Sequence, residues 1–127
     1  MNPRSERNLN GVHPDLVKVA RATDEDWSVN GLGLIVTEGV RTLSRQAELY
    51  KAGASMTMDS RHLTGHALDL AVLLNGEVRW DWPLYQRLGA LMKSNALRLG
   101  VKMVWGGDWK TFKDGPHFEL DREAYPA

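Results

Sequence analysis

The 127-residue chain has no cysteine. That excludes disulfides, thiolate metal sites and cysteine nucleophiles, so any metal must be held by His, Asp or Glu. It also lacks a charge of one sign, because 16 Lys+Arg balance 16 Asp+Glu. Such a balance gives no general pull toward nucleic-acid phosphates or anionic membranes, and neither partner is expected. No run approaches the roughly 20 apolar residues of a membrane span. The first ten residues carry Arg4, Glu6 and Arg7 and lack an apolar signal-peptide core. The chain is therefore expected to be made and folded in the cytoplasm without a signal peptide. It has no internal repeat, low-complexity segment or long linker. What is present is ordinary globular usage, 43% hydrophobic and 25% charged. The length suits one domain, 1–127, and not two.

His13-Pro14-Asp15 opens a helix, since proline suits the first turn and Asp the positive end of the dipole. Leu16, Val19, Ala20 and Thr23 follow at helical spacing. Leu32, Leu34 and Val36 alternate as in a strand. A second helix is predicted from Thr42 or Ser44 to Gly53, with Leu43, Ala47 and Tyr50 as its buried stripe. Ala67 to Leu74 is the clearest strand, followed by an Asn75-Gly76 hairpin turn into Glu77–Trp80. Asp81 and Pro83 start a third helix that Gly100 ends. Val101–Trp105 and Pro116–Leu120 read as short strands, and Trp27, Trp80 and Trp82 as packing residues. This order predicts an α+β fold: a small single domain whose central antiparallel sheet has helices packed against it.

Two segments hold ionisable residues where a core strand would not want them. Asp69 lies in an apolar strand between Ala67 and Ala71, which leave an open floor around its carboxylate. A buried unpaired carboxylate is costly, so Asp69 needs a cationic partner. In Asp114-Gly115-Pro116-His117-Phe118-Glu119, His117 faces away from Phe118 and Leu120. If the two strands share a sheet face, Asp69 and His117 can meet, and His62 can complete the set. Two His and one carboxylate form a ligand class of catalytic zinc sites, which keep a position for water. His66 competes with His62, but Leu63 and Gly65 do not fit the helical zinc-protease pattern. His66 is therefore placed beside the substrate instead. A salt-bridged structural cluster is the other reading of the three residues. Asp114, on a Gly-Pro turn, could shuttle a proton. Arg41 could stabilise an oxyanion or hold a carboxylate, or simply pair with Glu38 or Glu48. Glu119 could orient His117 from behind or be a surface carboxylate.

Ser60-x-His62-x-x-Gly65-x-Ala67-x-Asp69, with Asp114-x-x-His117 downstream, resembles the zinc peptidases of the D-Ala-D-Ala carboxypeptidase and dipeptidase (VanY-like) family. More closely it is similar to the L-alanyl-D-glutamate endopeptidase branch used as phage endolysins. Gly11-Val12-His13-Pro14-Asp15-Leu16, Glu38-Gly39-Val40-Arg41-Thr42 with Gln46, and Trp105-Gly106-Gly107-Asp108-Trp109 extend the likeness over nearly the whole chain. The resemblance implies a hedgehog/D-Ala-D-Ala peptidase-like fold and one Zn2+ per chain on His62, Asp69 and His117. It makes Asp114 the catalytic acid/base and Arg41 the residue that helps hold the polarised carbonyl. It puts Ser60 in the cleft, with Trp105 and Trp109 as candidate groove residues; Trp105 reads equally well as core packing. The implied partner is the peptidoglycan stem peptide, cut between L-Ala and D-Glu by a monomer without a separate wall-binding domain. The setting implied is host lysis, with the enzyme reaching periplasmic peptidoglycan after a holin opens the membrane. A D-Ala-D-Ala carboxypeptidase or dipeptidase, and a non-catalytic zinc-stabilised binding module, are the alternatives.

Overall fold

The structure is a computed structural model that describes residues 1–55, 57–58 and 60–126. Its first helix, α1 (Pro3–Asn8), lies in the polar run from which no element was expected. Six residues make no stable helix alone. The Asn2 side chain accepts the Ser5 N–H at 2.8 Å, and the helix is then tied to the sheet. Ser5 Oγ accepts from the Val36 N–H at 2.9 Å and Asn8 Nδ2 donates to the Val36 carbonyl at 2.8 Å. These bonds satisfy backbone groups on an edge strand that would otherwise invite pairing.

Helix α2 (Pro14–Trp27) starts where the His-Pro-Asp signal places it, with His13 Nδ1 accepting the Asp15 N–H at 3.0 Å. Five strands follow in chain order: β1 (Leu32–Glu38), β2 (Ala67–Leu74), β3 (Glu77–Arg79), β4 (Met103–Trp105) and β5 (His117–Leu120). They form one antiparallel sheet in the order β1-β2-β5-β4, with β3 paired to the end of β2. Asn75 and Gly76 both take positive φ, 51° and 82°, which makes the β2–β3 turn the primed kind that strand twist favours.

Leu34, Val36, Leu68, Leu70, Val72, Phe118 and Leu120 point to one face of the sheet. There they pack with Leu16 and Val19 of α2 and with Leu88 and Met92 of helix α4 (Trp82–Arg98). Each such side chain contributes roughly 1.5–3 kcal/mol by leaving water. The alternation that fixes this face turns Asp69, His117 and Glu119 to the other.

Helix α3 (Leu43–Lys51) begins at Thr42, whose hydroxyl accepts the Arg45 N–H at 3.1 Å. Its buried stripe is not the expected one. Leu43 and Tyr50 stand 66% and 51% exposed, and the buried residue is Gln46. The helix docks through a polar contact and not against the apolar core. Of the three tryptophans read as packing residues, Trp27 is buried, while Trp80 and Trp82, 64% and 40% exposed, pack at the surface by stacking on Tyr85 and Trp105.

Candidate metal centre

Strand register builds the centre. Asp69 of β2 lies directly opposite His117 of β5. His62 enters from the 3₁₀ turn Arg61–Thr64, which Ser60 caps by accepting the His62 N–H at 3.2 Å and which Gly65 ends at φ 79°. That turn separates His62 from His66, so the two do not share a helix face. The ligand atoms of His62, Asp69 and His117 all lie within 4.8 Å of one another.

Hydrogen bonds fix both tautomers. His62 Nδ1 donates to the Gly39 carbonyl at 2.8 Å, and His117 Nε2 donates to Glu119 Oε1 at 2.9 Å. The remaining nitrogens, His62 Nε2 and His117 Nδ1, each lie 3.2 Å from the same oxygen, Asp69 Oδ1. With neutral rings, two nitrogen lone pairs and a carboxylate oxygen face each other with no proton between them. Such a set requires either an added proton or a cation. Two imidazoles and one carboxylate, each backed by an outer acceptor, suit zinc. The donor set therefore fits the metal that the motif implies.

The protonation pattern of the protein alone reflects the same crowding. Burial acts to raise Asp69, but the hydrogen bonds and charges of His117 and His62 outweigh it and hold the carboxyl well below its usual range. Burial acts to lower His117, yet Asp69 and Glu119 push it up to about 9. Burial likewise opposes ionisation of Glu119, but His117 keeps it below its ordinary value. Burial, and then the Asp69 charge, raise Asp114.

A bulge in β1 brings the neighbouring groups in. Val36 pairs with Leu70, but Glu38 pairs with Asp69, so Thr37 is the extra residue that re-aims Glu38. Glu38 then clasps Arg41 with two bonds, from Nε at 2.8 Å and Nη2 at 2.7 Å. Arg41 Nη1 donates to Gln46 Oε1 at 2.7 Å, and its Nη2 lies 3.9 Å from Asp69 Oδ2. Gln46 Nε2 reaches onward to Ser55 Oγ at 2.8 Å and to the Thr57 carbonyl. Between Glu38 and Arg41, Gly39 leaves no room for a side chain, since a Cβ would sit 1.8 Å from the Asn8 carbonyl oxygen. The pairing of Arg41 with Glu38 is the structural reading of that arginine; its place over Asp69 is the functional one, and the geometry holds both.

These residues open into a cleft of about 450 Å³. Ser60, Arg41, Trp109 and Asp114 line it together with His62, Asp69 and His117. Trp109 leans over His117, with ring centroids 5.1 Å apart. Two expected groove residues are elsewhere. Trp105 is buried, donates to the Gly115 carbonyl at 2.7 Å and stacks on Trp82. It packs so tightly on Gly107 that a Cβ there would come within 2.2 Å of its ring, which explains the Gly-Gly pair as close approach. His66 bonds Thr64 and leans on His13 with ring centroids 5.8 Å apart, and it is not among the cleft residues. Arg61 donates to the backbone carbonyls of Tyr125 and Leu120 at 2.6 and 3.4 Å. Leu49, Ala54, Ser55, Thr57, Phe112 and Arg122 also line the cleft and were not anticipated, because no pattern in the sequence marks them.

The family model for phage L-alanyl-D-glutamate peptidases matches residues 1–125. The chain belongs to that family. It is 38% identical over 124 residues to the L-alanyl-D-glutamate peptidase of Listeria phage A118, covering 96% of this chain and 42% of that protein. The chain thus spans less than half of that relative. It is 32% identical over 125 residues to the L-alanyl-D-glutamate peptidase of Escherichia phage T5, covering 95% of this chain and 88% of that one. The crystal structure of the Serratia marcescens L-Ala D-Glu endopeptidase ChiX superposes with a TM-score of 0.91 at 45% identity, covering 100% of this chain and 93% of that one. The small antiparallel-sheet domain is therefore the fold of this peptidase family. No helix among the described residues is long and apolar enough to cross a membrane.

Proposed function

We propose that this chain hydrolyses the amide bond between L-Ala and D-Glu in peptidoglycan stem peptides, with one zinc ion on His62, Asp69 and His117. The observation that carries this reading is the convergence of those three side chains beside Asp114 at the floor of the cleft. A zinc ion bound there would polarise the scissile carbonyl and lower the pKa of its water from about 15.7 to roughly 7.

The protein's own groups account for the rest. Asp114 takes a proton from the attacking water and returns it to the leaving amine. Burial favours this exchange, since a carboxylate with a raised pKa is a stronger base toward the attacking water and keeps the proton until the more basic leaving amine takes it. Arg41 holds a fixed positive charge over the site, clasped by Glu38 and Gln46, where negative charge develops on the carbonyl oxygen. Glu119 and the Gly39 carbonyl keep the two imidazoles in the tautomers that leave His117 Nδ1 and His62 Nε2 free to coordinate. Ser60 and Trp109 flank the bound peptide. The phage origin of two relatives supports a role in host lysis: synthesis in the host cytoplasm and attack on the wall once a holin-type pore opens the membrane.

The test is metal analysis of the purified protein combined with mass spectrometry of digested sacculi. One zinc per chain and stem peptides severed after L-Ala are the expected result. Loss of terminal D-Ala would make it a carboxypeptidase, and intact sacculi with bound zinc would make it a binding module.

A further inference from the structure

Among the described residues, three that are not glycine take a positive φ: Asn30, Asn75 and Phe112. Asparagine tolerates that conformation, and both asparagines stand in turns beside a glycine. A phenylalanine at φ 50° is an outlier, because its Cβ crowds the backbone. Core burial does not account for the ring's place. Phe112 is absent from the core, 47% exposed, and set in the wall of the cleft. A glycine would satisfy the backbone better, so the strained ring in the cleft wall points to a role in the site.

Its loop says what. The Gly106 carbonyl accepts the N–H of Trp109 at 3.3 Å and of Asp114 at 3.1 Å, which pinches residues 109–114 into a closed loop. Gly106 is itself locked, since a Cβ there would lie 2.4 Å from the Asp114 carbonyl oxygen. Phe112 sits within this loop, two residues before Asp114, and both line the cleft. The proposed reaction has Asp114 protonate the leaving nitrogen, which belongs to D-Glu. Groups on this loop then flank the leaving half of the stem. In that half D-Glu is followed by a diamino acid with an aliphatic chain.

We infer that Phe112 is a specificity residue: its ring, held at the cleft wall by a strained backbone, packs on the aliphatic chain of the residue that follows D-Glu. This deepens the proposed function and rests on it. The enzyme accordingly favours a stem tripeptide over the L-Ala–D-Glu dipeptide through KM.

The test compares the zinc-supplemented full chain with Phe112→Gly and Phe112→Asn, both of which relieve the backbone and remove the ring. Soluble L-Ala-γ-D-Glu-diaminopimelate and the L-Ala-D-Glu dipeptide are the substrates. Melting temperatures should hold or rise. KM for the tripeptide should rise about tenfold, with kcat little changed and the dipeptide unaffected. Phe112→Leu should keep most of the preference. An unchanged tripeptide KM in the glycine and asparagine variants overturns the inference, as does a lower melting temperature in both, which would make the ring a packing element. A wild-type chain that cuts neither substrate after L-Ala instead defeats the proposed function, so the two failures are distinguishable.

Discussion

Along α2, the residues Leu16, Val19, Ala20, Thr23 and Trp27 are buried, whereas along α3 the buried residue is Gln46, with Leu43 and Tyr50 left in solvent. Both helices begin at side-chain caps and both carry apolar residues at helical spacing. They differ in what they face. Helix α2 covers the apolar side of the sheet, while α3 stands on the polar side, where Gln46 joins Arg41 to Ser55 and Thr57. The two sides of one sheet are thus built by different forces. One is set by burial, which tolerates exchange of similar side chains. The other is set by a hydrogen-bond network around charges, in which each member fixes the next.

Breaking the polar side at its chemistry should have the largest effect. Asp114→Asn should lower sacculus hydrolysis by about 10²–10⁴-fold while leaving bound zinc unchanged. His62→Ala should lose the metal and His66→Ala keep it. Turbidity assays and metal analysis read both, and full lysis by Asp114→Asn would remove that residue from the mechanism. On the apolar side, Phe118→Ala should destabilise the fold by about 3–5 kcal/mol in denaturant titration. A cost near zero would mean that the β5 core contact is not what holds the sheet.

Acidity probes the polar side without mutation. In the metal-free protein His117 titrates at about 9 against an ordinary 6.5. A raised histidine contributes stability that is complete below pH 6.5 and lost as pH climbs through 9. Asp69 and Glu119 are lowered, so their contribution is present above the usual carboxylate range and fades on acidification. Chelator-treated protein should therefore be most stable in mildly acidic solution and melt progressively lower toward pH 9. Zinc must displace the His117 proton, so its affinity should rise by up to about tenfold per pH unit over that window. A flat affinity profile would contradict the proton-bridged cluster.

Smaller effects sharpen the contrast. Glu38→Gln weakens the clasp on Arg41 and should cost about 1–3 kcal/mol of transition-state stabilisation, read as a fall in kcat with zinc content and melting temperature retained. An unchanged kcat would show that Arg41 needs no such clasp. Leu43→Ala, on the exposed face of α3, should change stability by no more than about 0.5 kcal/mol, whereas a core-packed leucine would cost several times that.

Much of this was legible in the chain. Alternation in Ala67–Leu74 put Asp69 on the face away from the core, and Asp114-x-x-His117 placed a carboxyl and an imidazole near each other. Helix starts at His13-Pro14 and Thr42 follow from capping chemistry, which is local. The failures share a cause. Leu43 and Tyr50 of α3 have the composition of core residues, but burial depends on what stands opposite them. His66 has the chemistry of a ligand or substrate contact, yet the left-handed Gly65 turns it toward His13.

The sequence by itself determined the element types after α1, the sheet-facing pattern and the identity of the chemical groups, because propensity, period and donor chemistry belong to short stretches of chain. Only the tertiary structure decided that Asp69 lies opposite His117, that a bulge at Thr37 brings Glu38 and Arg41 to them, and that Phe112 stands in the cleft wall. Those facts depend on strand register and on a backbone angle, and neither leaves a mark on the residues that obey it.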